Sequence, residues 1–525
     1  MLVGHRVTAA AAAAAALLGI GVVSPALTHE RQSPPPLWVD VTAAAIGATK
    51  YWTNKVEIAD LNEDGRPDLL FANGGDYSAP GAPEPNQVFF NGGVNARFLE
   101  VTERVLGATP DLARVIKARD LNGDGFTDIV VGTTYQTQSR LYLGSGKGAF
   151  TEVTRTHLPQ LPLSVGDLET GDADGDGDLD LVLADWGPGN NMTNDGGLTR
   201  LWLNDGAARF TDATAARLPA VRIRFSWDLE LADVDNDADL DVLVSCKRCP
   251  GSSLFRNDGA GNFTDDGRAL PQYTNNYELE PMDLDGDGFL DLVTLNDGEI
   301  VAENSSSRRE HVFRNDDKGR FRDATQAWWP DAANIGEDDN MAAFLDVDSD
   351  GDADFVVGSL SGSDRLLVND GKGRLQVRLD VFEGAPTPGT LGLALADLDA
   401  DGRMDVVQGQ GEHPKAIDER VFLGRGLSPD TAPPSITMVG ARDAGTGRRI
   451  VVARVHDRKS PTLPFEWQRV VIEWPGGSAP RAIPMRWYGE YLWRADWLAD
   501  VPANAAFRVC ATDAAGNSAC SPLGH

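Results

Sequence analysis

The chain has 525 residues, 42% of them hydrophobic, and a formal charge of −32 from 79 acidic against 47 basic side chains. That length exceeds one ordinary core and calls for a large repeated domain plus something smaller, and so acidic a balance excludes nucleic acid, which requires a basic face. The seven histidines are scattered singly, with no HExxH and no nucleophile elbow, so no catalytic constellation is legible and the chain is read as a non-enzyme.

The N-terminus runs MLVGHRV, then an Ala-rich apolar run from Thr8 to Val23, then Ser24-Pro25-Ala26. This reads as a signal peptide over residues 1–26, with a Pro-rich linker over 27–36, and implies secretion or association with the cell surface. The run is too short for a comfortable membrane helix, and no later segment could span a bilayer. An uncleaved anchor is the alternative.

After the short segment WVDVT (Trp38 to Thr42), one pattern recurs seven times: DLNEDGRPDL from Asp60, DLNGDGFTDI from Asp120, DADGDGDLDL from Asp172, DVDNDADLDV from Asp233, DLDGDGFLDL from Asp283, DVDSDGDADF from Asp346 and DLDADGRMDV from Asp397. Each places an acid or Asn at positions 1, 3, 5 and 9. Side-chain oxygens on alternate residues converge only if the backbone curls sharply, which Gly at position 6 permits. Carboxylates so close repel unless a cation sits among them, and a hard cation taking six to eight oxygens at roughly 2.3–2.6 Å fits, calcium better than magnesium. One lone copy would read equally as a solvated acidic turn; seven copies favour metal, up to seven structural ions.

The candidate side-chain ligands are Asp60, Asn62, Asp64 and Asp68; Asp120, Asn122, Asp124 and Asp128; Asp172, Asp174, Asp176 and Asp180; Asp233, Asp235, Asp237 and Asp241; Asp283, Asp285, Asp287 and Asp291; Asp346, Asp348, Asp350 and Asp354; and Asp397, Asp399, Asp401 and Asp405. These loops are not EF-hands, which need a bidentate Glu at position 12 and flanking helices. Position 12 is Phe71, Leu183, Thr294 and Val357 in four copies, and the segment after position 9 is short and β-rich.

Around each loop the same order of elements is expected: an alternating strand, the loop, an apolar strand, a variable loop, a third strand, an Asn/Asp/Gly hairpin and a fourth strand. LWLNDGAARFTDAT from Leu201 and VFRNDDKGRFRDAT from Val312 show the hairpin, whose Gly and Asn supply left-handed turn residues. Repeated four-stranded units argue for radial closure, hence an all-β fold with a seven-bladed β-propeller over 37–427. The seventh unit stops at VFLGRG without a fourth strand. The orphan at 37–42 is predicted to supply it, joining the two ends and removing an open edge.

Strand direction puts cation loops and hairpins on one face. The long loops after Asn73, Ala184, Asn296 and Gln326 lie on the other, where binding is expected. Trp186, Trp227, Tyr277, Trp328 and Trp329 are candidate sugar-stacking residues there, with Glu303, Glu337 and Asp338 as polar partners. Residues 428–434 read as a linker and 435–525 as a small β-sandwich domain. Its Trp467, Trp474, Trp487, Trp493 and Trp497 are expected in the core. Cys246 with Cys249, and Cys510 with Cys520 across an evident hairpin, are expected to form two local disulfides.

With DxDxDGxxD, an apolar strand and NDGxGxF in hand, the chain resembles the FG-GAP/VCBS repeat proteins over roughly 37 to 426, a propeller similar to that of the integrin α-subunit head. The resemblance implies calcium at the seven loops, with the position 7 carbonyls of Arg66, Phe126, Asp178, Asp239, Phe289, Asp352 and Arg403 as further ligands. The fourth loop departs from the pattern, since Ala238 replaces Gly and should strain the turn by about 1 kcal/mol, weakening or distorting that site. The tail looks like immunoglobulin-like modules of bacterial surface proteins, through ATDAAGNSA. The function expected is adhesion or ligand recognition through the variable face, with an extracellular protein or glycan as partner and a monomeric state; the alternative is a carbohydrate-binding protein or a lyase-type polysaccharide enzyme.

Overall fold

The computed structural model describes residues 35–524, apart from 94–95, 191, 297–308, 317, 387, 412–417, 444–447 and 476–480. The expected signal segment, most of the first linker and Glu303 lie outside the described residues. Pro36 to His525 form one compact unit, and the fold is all-β, built from small antiparallel sheets.

Seven of these sheets follow the cation loops. The first pairs Thr53–Ala59, Asp68–Asn73, Gln87–Asn91 and Phe98–Glu100 in order, and the next five repeat that meander, the third with one extra short strand, Arg222–Ile223. The first strand of each sheet packs against that of the next, and Thr390–Ala396 of the last packs back against Thr53–Ala59. Sheets so arranged cover one another on both faces, so every residue of the second strands is buried, from Asp68–Asn73 through Asp405–Gln410. This is why those strands read as continuous apolar runs rather than alternating ones.

The last sheet holds only three strands from its own unit, and Val39–Asp40 completes it, with Val39 opposite Leu423 and Asp40 opposite Phe422. The match extends beyond pairing. In other sheets a Thr after the fourth strand accepts a third-strand N–H, as Thr214 does from Leu201 and Thr325 from Val312, each at 3.1 Å. Thr42 accepts Val421 N–H in the same way at 3.0 Å.

Beyond residue 434 two more four-stranded sheets share one hydrophobic core. One orders Ser435–Asp443, Arg449–His456, Leu492–Asp496 and Arg486–Gly489; the other orders Arg481–Pro484, Trp467–Trp474, Arg508–Asp513 and Ser518–Cys520. Trp474 and Trp493 are buried in that core and Trp467, Trp487 and Trp497 pack on it, as expected for packing tryptophans. Cys510 sits directly opposite Cys520 on paired strands and the two are bridged; Cys246 and Cys249 are bridged as well.

These sheets do not hang from a linker. They seat on the cation-loop side of the ring, where Tyr488 and Tyr491 donate to the carbonyls of Ala238 and Pro281 at 3.0 and 2.9 Å. Lys459, Leu463 and Glu490 then help to enclose an axial cavity of about 70 Å³. Its wall is charged. Lys55 Nζ lies 3.1 Å from Asp167 and 3.5 Å from Asp228, Lys117 pairs with Glu169, and Arg119 with Glu57.

Candidate metal centres

The seven acidic loops share one backbone frame. The position 9 carboxylates are 0–1% exposed because each is the first residue of a buried second strand. Their Oδ1 atoms accept an N–H from the end of the third strand, from Asn91, Gly144, Asn204, Asn257, Asn315, Asn369 and Gly424, at 2.7–2.9 Å. In six loops Oδ2 accepts the position 2 N–H at 2.8–3.1 Å. Position 5 accepts the position 7 N–H in all seven at 2.9–3.1 Å.

Two left-handed residues make the curl, not one. Position 6 has positive φ throughout, from Gly65 at 79° to Gly402 at 77°, and position 4 does too, including the non-glycines Glu63, Asn236, Ser349 and Ala400. Ala238 adopts the same conformation at φ 68°, so the fourth loop keeps its shape and bears the strain of its Cβ.

The donor set fits a hard cation. In at least four loops one oxygen from each of three acids lies within 4.8 Å of the other two: Asp172, Asp174 and Asp180; Asp233, Asp235 and Asp237; Asp283, Asp285 and Asp291; Asp346, Asp348 and Asp354. Ligands on a calcium ion stand at most about 5 Å apart. Asp172, Asp235, Asp285 and Asp399 each keep a buried Oδ1 with no hydrogen-bond partner, an arrangement that costs free energy until something positive meets it. Burial pushes the position 9 carboxyls up against the pull of their backbone donors, Asp68 and Asp128 to about 7 and Asp180, Asp354 and Asp405 to about 8. The neighbouring loop acids add to the rise.

The loops are not equivalent in what surrounds them. Arg314 reaches Asp285 and Asp287 at 2.6 and 3.1 Å, and Arg425 reaches Asp399 and Asp401, but both side chains are about two-fifths exposed. In the fourth loop Arg256 is 13% exposed and lies 3.3 Å from Asp235 and 3.1 Å from Asp241, taking the Oδ2 that position 2 holds elsewhere. Arg442 meets Asp239 at 3.0 Å, and the buried Arg454 donates to Asp233 O at 2.7 Å and Gly288 O at 3.0 Å. Arg494 pairs with Asp172 of the third loop, and Arg458 donates to Gly351 O of the sixth at 2.6 Å. Three arginines on strands of the first C-terminal sheet and one just after its second strand thus reach the cation loops directly.

Two groups of functional residues escaped the sequence reading. The Asn that opens each hairpin also stitches neighbouring repeats: Asn91, Asn204, Asn257, Asn315 and Asn369 donate through Nδ2 to the position 2 carbonyl of the preceding loop at 2.7–2.8 Å. Its return in five of seven units, each time as the last residue of the third strand, was the available signal. The docking arginines carried none, because they lie more than 150 residues from most of the loops they meet.

The proposed sugar-stacking aromatics need correction. Trp186, Trp227, Tyr277 and Trp329 are 0–2% exposed and Trp328 is 9% exposed. Trp186, Trp227 and Tyr277 pack with Phe225 and Leu391 into a plug on the side opposite the cation loops, with Lys247 and Arg114 over their rings. Trp329 stands edge-on to Phe355 inside the neighbouring core. Apolar rings around the narrow end of a ring of sheets bury one another rather than face solvent. Glu337 stays partly exposed and lies 3.4 Å from Arg365; Asp338 is half-buried. Among the described residues no helix is long and apolar enough to cross a membrane.

An FG-GAP-like repeat is matched at residues 60–131, 120–183 and 346–407. No curated protein matches the sequence. Crystal structures of BBS1N in complex with ARL6DN, soaked with lead or mercury, are similar at TM-score 0.44, with 10% and 11% identity over 76% and 74% of this chain and 100% and 98% of theirs. A protein from Lactobacillus plantarum is similar at TM-score 0.41, with 13% identity over 66% of this chain and 88% of its own. The matched repeats and the succession of small antiparallel four-stranded sheets together fit a repeat β-propeller.

Proposed function

We propose that the chain is a secreted or surface-associated, calcium-stabilised seven-bladed β-propeller over residues 37–427, carrying an immunoglobulin-like β-sandwich over 435–525. In this reading it acts in adhesion, recognising an extracellular protein or glycan through the face opposite the cation loops. The observation that carries the metal reading is the set of buried, unpartnered carboxylate oxygens inside loops of one repeated geometry. Closed all-oxygen cages favour calcium over magnesium, which keeps several waters. The fourth loop is the weakest of the seven, since Arg256 competes for Asp235 and Asp241. The choice of face is supported by the last two sheets, which contact loops three to six on the side opposite the long variable loops.

Calorimetric titration of the metal-free protein tests the first part: several calcium ions per chain are expected, with magnesium unable to replace them, and no uptake would sink it. For the second part, the exposed residues 79–83 are replaced by a short Gly-Ser segment and capture is scored on panels of matrix proteins and glycans. Capture should fall with the melting midpoint unchanged; capture indifferent to every loop replacement on that side rules the face out.

A further inference from the structure

We propose a further hard-cation site, bordering the seventh loop but with ligands of its own, at the seam between the ring and the last two sheets, held by the carboxylates of Asp430, Asp457 and Asp513. The three line one cavity of about 90 Å³ together with Asp397 and Trp467, room for an ion and several waters. The fold brings them from separate segments. Asp430 is pinned by its own N–H on Gly402 O at 2.7 Å, Asp457 follows the strand Arg449–His456, and Asp513 ends the strand Arg508–Asp513.

Asp513 is the observation that points to a ligand. It is 3% exposed; its Oδ1 accepts the N–H groups of Gly516 and Asn517 at 2.7 and 2.9 Å, while its Oδ2 is buried with no partner. A carboxylate oxygen so placed is stabilised by a cation and by little else. The basic groups around the cavity are engaged elsewhere. Lys459 pairs with Glu466 at 3.0 Å, Arg403 with Asp401 at 3.0 Å, and Arg458 donates to the carbonyls of Gly351 and Pro433 at 2.6 Å, standing 3.9 Å from Asp457. Asp430 accepts only neutral donors, Ala432 N–H at 2.9 Å and Asn517 Nδ2 at 3.1 Å. All-oxygen, acid-rich donors of this kind select calcium-like ions. Because the ligands join the ring's exit segment to both C-terminal sheets, occupancy locks the two parts together.

Terbium, which takes calcium's oxygen sites, is the probe, excited through Trp467. In the full chain a component of terbium emission under indole excitation is lost in both Asp457→Asn and Trp467→Phe. Calcium counted by equilibrium dialysis falls by one in Asp457→Asn and stays constant in Trp467→Phe. Asp399→Asn, in the seventh loop that borders the cavity, loses a different ion and keeps the Trp467-dependent emission, so failure of the adjoining loop site is read apart from failure at the seam. With chelator present Asp457→Asn melts no lower than the parent, since it has lost a repulsion. An unchanged calcium count with unchanged emission overturns the proposal, and so does an equal loss of melting temperature with and without calcium, which marks a side chain needed only for packing.

Discussion

Two sets of buried carboxylates lie a few residues apart on the same first and second strands, and they are stabilised differently. Around the axial cavity, on its wall or just behind it, Asp167, Glu169 and Glu57 meet Lys55, Lys117 and Arg119, an irregular arrangement that differs from sheet to sheet. In the loops the carboxylates meet backbone N–H groups in a frame that barely changes between copies. Side chains that supply counter-charge must be placed one at a time, so such pairs look irregular. A frame that repeats while oxygens stay unpartnered looks built around something that is the same at each copy, and an ion is such a thing.

Removing the ion is the strongest way to break the comparison. Each loop contributes about 2.7 kcal/mol when free calcium exceeds its Kd a hundredfold, so chelation should lower the thermal midpoint more than any single substitution, as read by scanning calorimetry with and without chelator. An unchanged midpoint puts the loops in the same class as the cavity. Conversely, Lys55→Met leaves Asp167 and Asp228 buried without their cation and should cost about 3–5 kcal/mol. That loss should be equal in calcium and in chelator, by urea denaturation; a calcium-dependent loss would couple the two sets.

Acidity sharpens the contrast further. In the metal-free protein, burial holds the loop carboxyls of Asp180, Asp354 and Asp405 near 8, against 3.8 as the ordinary value. A carboxyl raised on folding favours the folded state fully below its ordinary value, and that contribution is lost as pH rises through the folded value. The chelated midpoint should therefore fall between about pH 4 and 8 and level off above, while the increment given by calcium grows over the same window as protons leave the ligands. A calcium increment independent of pH contradicts the assignment of these acids. The smallest effect expected is at the closing strand, where Thr42→Ala leaves Val421 N–H buried without its acceptor and should cost about 1–3 kcal/mol in either condition.

Much of the fold was legible because the sequence repeats. The spacing of the loops, the apolar second strands and the missing fourth strand of the last unit together led to Val39–Asp40 beside Leu423. The axial charges were visible only as polar members of alternating strands such as TNKVEIA and ARVIKAR, with nothing local to say that one side of those strands would be enclosed. The aromatics of the variable loops misled the reading for a related reason: aromatic residues in long loops suit a binding platform and a plug equally, and only the convergence of Trp186, Phe225, Trp227 and Tyr277 on one axis selects the plug.

From its residues alone this chain specified what depends on near neighbours: curled loops with oxygens at positions 1, 3, 5 and 9, hairpins, short strands and local disulfides. Tertiary structure decided what depends on groups far apart in sequence. It seated the last two sheets on the cation loops through Arg442, Arg454, Arg458 and Arg494, and gathered Asp430, Asp457 and Asp513 around one cavity. Side-chain periodicity and turn propensity act over a few residues, whereas counter-charge and burial are set by whichever segments the closed ring brings into contact.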